Sequence, residues 1–130
     1  MKLSELRDLF DGKINHSSFR NHIRTEVSEF QKRGLVKGRS RAISVINDTE
    51  IIVSPEDVSR LCSAYLQGDF GEKELAYVAD ALLLSNSAQD VAFIGDGLAE
   101  LVGQLTDPEI NGPITRERVL DVLTKLALLG

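Results

Sequence analysis

The chain has one cysteine, three prolines, no tryptophan and only 5% aromatic residues. The lone thiol, Cys62, excludes an internal disulfide and every zinc arrangement built on paired cysteines. Helical phasing sets it beside Leu61 and Leu66, the surroundings of a buried thiol. A long apolar run is missing too. The most apolar stretch, Leu75 to Leu84, is broken by Asp80 and falls well short of the roughly 20 residues that a membrane-spanning helix needs. Residues 1–8 are charged and lack the apolar core and small-residue cleavage site of a secretory signal, so a cytoplasmic protein is expected.

Convergent chemistry is equally scarce. His16 and His22 lie six residues apart, about 600° of helix, and therefore face different ways. There is no His-x3-His pair, no His-Glu-x-x-His and no Gly-x-Ser-x-Gly. Asp69-Phe70-Gly71 imitates a kinase metal-binding triplet without the other kinase elements, and Gly95-Asp96-Gly97 lacks the lysine of a phosphate loop. No catalytic residue, metal ligand or cofactor is assigned, and the expectation is a non-enzymatic protein that binds another macromolecule.

What is present is the material of one ordinary globular domain, with 130 residues, 42% of them hydrophobic and 27% charged. Leu3, Leu6, Leu9 and Phe10 predict a short first helix that stops at Gly12. Asn15, Ser17 or Ser18 can cap a second, whose buried face is Phe19, Ile23, Val27 and Phe30. Ala42–Ile46 and Glu50–Val53, separated by Asn47-Asp48-Thr49, read as a β-hairpin. Ser54-Pro55-Glu56-Asp57 opens a third helix that runs to about Leu66. A fourth, Glu72 to Leu84, is apolar on nearly every side and belongs at the centre. A fifth is expected from about Asp90 to Leu105, and a last one follows Thr115 with Val119, Val122, Leu123 and Leu126 inward. The predicted fold is mostly α, a bundle of five to six helices with one small hairpin. Leu9–Ile14 and Tyr65–Phe70 also match in register: helix, glycine stop, apolar plug and next helix occur twice.

The net charge of −5 hides a division. Residues 1–41 carry ten Lys or Arg against five Asp or Glu, whereas the rest, hairpin 42–53 and helical part 54–130, carries five against fifteen. A basic protein partner for the acidic part is expected, unless the basic segment folds back on the acidic one. Asp96 and Glu100 stand at i and i+4 of the fifth predicted helix, a mildly unfavourable pairing that a basic partner would relieve. On the fourth helix Tyr77 and Asp80 interrupt an apolar surface and suit a structural or an interfacial role equally. The candidate partner-binding residues are thus Tyr77, Asp80, Asp96, Glu100, Asp107 and Glu109. The alternative is a small DNA-binding regulator that sets Arg20, Arg24, Lys32, Arg33, Lys37, Arg39 and Arg41 against phosphates and uses the hairpin as a wing. A pI near 5.0 and the lack of an RNA-binding aromatic motif speak against nucleic acid.

Three segments carry a family likeness: Leu66-Gln67-Gly68-Asp69-Phe70, then Glu74-Leu75-Ala76-Tyr77-Val78-Ala79-Asp80, then Asp107-Pro108-Glu109-Ile110-Asn111-Gly112-Pro113-Ile114-Thr115. From Ser54 onward, a little over half its length, the chain resembles small bacterial immunity proteins, including those of contact-dependent growth inhibition and colicin-like systems. The resemblance implies an antidote without a cofactor that binds the C-terminal domain of a cognate toxin, often a nuclease. It does not extend over residues 1–41.

Overall fold

Leu3, Leu6, Leu9 and Phe10 turn to one side of helix α1 (Leu3–Phe10), and all four are buried. The computed structural model describes residues 1–34, 45–106 and 114–129, with residues 29–34 described by their backbone alone. Helix α2 (His16–Gly34) starts where the Asn15 side-chain oxygen accepts the Ser18 N–H at 2.8 Å, which satisfies one of the first unpaired amides. Its inward residues Phe19, Ile23 and Val27 are buried as their spacing predicts. Phe30 lies outside the described side chains.

Strand β1 (Ile51–Val53) leads directly into helix α3 (Pro55–Gln67). Ser54 and Asp57 form a reciprocal capping box there, and Pro55 occupies the first turn. The chain leaves α3 through Gly68 at φ +88°, a left-handed conformation open to glycine at little cost. Phe70 then plugs the interior before helix α4 (Glu72–Ser87) begins. The first two helices follow the same scheme: Gly12 sits at φ +79°, and Phe19 is as buried as its counterpart Leu75. The two copies meet where the rings of Phe19 and Phe70 lie 6.2 Å apart.

Helix α4 occupies the centre, in contact with α2, α3, strand β2 (Val91–Phe93) and helix α5 (Leu98–Gly103). Its buried residues are Leu75, Ala76, Tyr77, Val78, Ala79, Ala81, Leu82 and Ser85, which cover most of its circumference. Helix α6 (Arg116–Leu129) is capped by Thr115, whose hydroxyl accepts the Arg118 N–H at 3.2 Å. It closes the core chiefly against α3 through Val119, Val122 and Leu126.

The structure is mostly helical, and its small sheet differs from the expected hairpin. Ile51, Ile52 and Val53 pair in parallel with Val91, Ala92 and Phe93, with α3 and α4 as the crossover that parallel strands require. Residues 42–44 lie outside the described residues, and Ile46 makes a single parallel bridge to Lys2. The apparent turn Asn47-Asp48-Thr49 has other work. Asp48 accepts the backbone N–H and hydroxyl of Ser4 at 3.0 and 2.7 Å, Arg7 reaches Thr49 at 3.0 Å, and Asn47 reaches Asp90 at 2.5 Å. These bonds fasten the segment to α1 and to the start of β2. The helix expected from Asp90 to Leu105 is likewise two elements, β2 and the short α5. The link between them passes through Gly95 at φ +105° and Gly97 at φ +86°, which no helix contains.

Candidate protein-binding surface

Tyr77 is fully buried on α4, and its hydroxyl donates to Glu26 Oε2 on α2 at 2.9 Å. The same oxygen accepts from the Met1 α-amino group at 2.5 Å. Of the two roles open to Tyr77, the fold therefore gives it the structural one: it ties the central helix to α2 and offers nothing to a partner. Asp80, three residues on, is half-buried and engaged within the fold.

Asp96 and Glu100 are exposed, but they do not share a helical face. Asp96 lies before Gly97, the N-cap of α5, while Glu100 is in the first turn of that helix. The expected helical repulsion between them is thus absent. Neither carboxylate has a hydrogen bond or ion pair among the described residues. Asp107 and Glu109 lie outside the described residues.

Among the described basic residues of the N-terminal part, Arg20 is half-buried, and Lys2, Arg7, Lys13 and Arg24 are exposed. Arg20 bonds the Glu74 carboxylate and reaches the Gly68 carbonyl at 3.4 Å, so α2 grips α4 and the turn before it. His22 lies 2.8 Å from Glu5, and Arg24 bonds Asn21 at 2.9 Å within its own helix. Lys37, Arg39 and Arg41, together with the side chains of Lys32 and Arg33, lie outside what is described. The described residues contain no hairpin, and residues 42–44, which the wing of the regulator alternative would use, lie outside them.

The other candidate groups behave as parts of the interior. Cys62 is completely buried, and burial pushes its thiol up to about 12, which leaves it protonated and inert at neutral pH. His16 sits edge-on to Phe70 at 5.4 Å. Burial lowers its pKa, a shift opposed by nearby Asp69 and reinforced by Arg60. Among the described residues no three His, Cys, Asp or Glu side chains gather as a metal site would need, and no helix is long and apolar enough to cross a membrane. A cleft of about 190 Å³ between α1 and α2 is lined by Glu5, Asp8, Lys13, Ile14, Phe19 and His22. That is smaller than the roughly 300 Å³ at which small-molecule sites begin.

Two large apolar residues that the sequence reading passed over are on the outside, Ile52 at 66% exposure and Ile94 at 54%. The strand alternation Ile51-Ile52-Val53 was the available signal: in a half-buried strand the middle residue of such a triplet must face away from the core. Comparison of the chain with protein-family models, with curated proteins and with solved structures gives no match.

Proposed function

We propose that the chain is a non-enzymatic immunity protein that binds a basic bacterial toxin domain and blocks it. One observation carries the reading. Asp96 and Glu100 stand exposed and unpaired among the described residues, while Arg20, which would have competed for external anions, is held on Glu74. Free carboxylates on a protein of net charge −5 favour a cationic partner. A nuclease toxin suits them, because it must present basic residues to its own substrate. An acidic surface speeds encounter with such a domain and keeps phosphate from it. The likeness of residues 54–130 to immunity proteins points the same way.

The experiment is co-expression. An antidote is normally encoded directly downstream of its toxin, so cells that produce the C-terminal domain of the upstream gene's product should survive when this chain is present and die without it. Growth arrest that the chain does not relieve would refute the proposal. A sequence-preferring complex with duplex DNA at physiological salt, lost on replacing Arg20, Arg24 and Arg33, would instead establish the regulator alternative.

A further inference from the structure

The parallel register pairs Ile52 with Ala92, and in an extended pair both side chains point to the same side. Their neighbours Ile51, Val53 and Val91 are buried, so that side is the one turned away from the core. Ile94 continues it: its N–H bonds the Val53 carbonyl at 2.9 Å, which extends the ladder and returns its side chain to the face of Ala92. Ile52, Ala92 and Ile94 thus form an exposed apolar centre. The other large apolar residues that are exposed among those described, Ile46 before β1, Leu84 on α4, and Leu120 and Leu128 on α6, lie outside the β1–β2 pair.

The ends of this apolar face are acidic. Glu50 precedes β1 and is exposed, and Asp90 precedes β2, half-buried, where its carboxylate accepts from the Asn47 side-chain amide. Asp96 follows Ile94 by two residues on the Gly95–Gly97 turn, which lies against Pro55 at the start of α3. Arg7, bonded to Thr49, is a cation at the Glu50 end. An apolar centre flanked by carboxylates has the layout of a protein interface, with anchors that exclude water and a charged rim that orients the partner.

We infer that the outward face of the β1–β2 pair, centred on Ile52, Ala92 and Ile94 and flanked by Glu50, Asp90 and Asp96, is the docking surface for a partner that places Lys or Arg residues around an apolar anchor. The partner's identity rests on the immunity reading; the location of the surface does not. A stable interface covers about 800 Å² on each side, so these residues are its centre and neighbouring surface completes it.

The closing experiment has two arms. In the first, binding of the upstream-encoded toxin domain is compared for the wild-type chain, the double variant Ile52→Thr/Ile94→Thr and the double variant Glu50→Lys/Asp96→Lys. Threonine keeps β-branching and strand preference, so thermal unfolding should be nearly unchanged. The threonine variant should bind about thirtyfold more weakly, as removal of a central anchor does. The lysine variant should associate more slowly. Wild-type affinity in both variants would overturn the inference while leaving the immunity reading intact. If the wild-type chain does not bind that domain, the immunity reading fails and the second arm decides on the surface. There, backbone amide spectra are followed on adding a peptide that alternates arginine with leucine, beside a peptide that alternates glutamate with leucine. Shifts centred on Ile52, Ala92 and Ile94 with the arginine peptide alone support the surface. Shifts elsewhere, equal shifts with both peptides, or none would overturn it.

Discussion

Tyr77 on α4 and Glu26 on α2, 51 positions apart in sequence, are joined by a 2.9 Å hydrogen bond from a fully buried phenol to a carboxylate. A hydrogen bond to a charged group contributes about 1.5–3 kcal/mol net. Glu26 stays partly exposed and keeps the Met1 amino group, so Tyr77→Phe should cost toward the lower end, about 1.5 kcal/mol. Tyr77→Ala removes the ring from the packed centre and should cost about 3–5 kcal/mol. Urea unfolding measures both, and a phenylalanine variant as stable as wild type would show that the bond contributes nothing.

The start and end of α3 are separable in the same assay. Ser54→Ala removes one half of the capping box and should cost about 1 kcal/mol. At Gly68 a new Cβ would meet nothing within 4 Å, so the cost of Gly68→Ala is that of the left-handed backbone alone, roughly 1–2 kcal/mol. A loss well beyond that would mean the turn rearranges.

His16 gives the fold a pH dependence of known sign. Its folded pKa lies below the ordinary 6.5, first because burial penalises the cation, so the unfolded chain binds the proton more readily. Its contribution is fully present above pH 6.5 and is lost as pH falls through that value toward the lowered folded pKa. His16→Gln should flatten this part of the stability profile between neutral and mildly acidic pH. Thermal unfolding across that range checks it, and an unchanged slope in the variant would remove His16 as the cause.

Asp96 lies outside α5, so relieving repulsion from Glu100 should stabilise nothing. Asp96→Asn and Glu100→Gln should each leave stability within about 0.5 kcal/mol of wild type, as exposed positions without partners do. On the immunity reading proposed above, association with the toxin domain should slow in both. A clear rise in melting temperature for either single variant would restore the helical pairing that the sequence suggested.

Most helices were legible because local chemistry marks them. Ser54, Pro55 and Asp57 announce the start of α3, Gly12 and Gly68 stop their helices, and the all-round apolar character of α4 places it centrally. The sheet was not legible, since Ile51–Val53 finds its partner only after two intervening helices, at Val91–Phe93. Asn47-Asp48-Thr49 looks like a hairpin turn because turn residues and residues that bind a distant helix are the same short polar types. Tyr77 misled for a related reason: a polar atom on an apolar helix points either to solvent or to a buried partner, and periodicity does not distinguish them when that partner is Glu26. Ile52 and Ile94 fall within segments that the sequence marks as a hairpin strand and a helix, and only the parallel pairing of β1 with β2 brings them to one outward face. Asp96 and Glu100 have the sequence spacing of one helical turn, but the Gly97 cap sets Asp96 outside α5, and both are exposed.

The measurement closest to the central claim is calorimetric titration of the wild-type chain with the toxin domain encoded directly upstream, at low and at physiological salt. The account predicts a saturable complex with a dissociation constant of about 10⁻⁷ M or tighter, as specific protein pairs show. Its association should slow as salt screens the Asp96 and Glu100 carboxylates, and toxin activity should be lost in step with saturation. No heat of binding at either salt, with the toxin fully active beside excess folded chain, would contradict it.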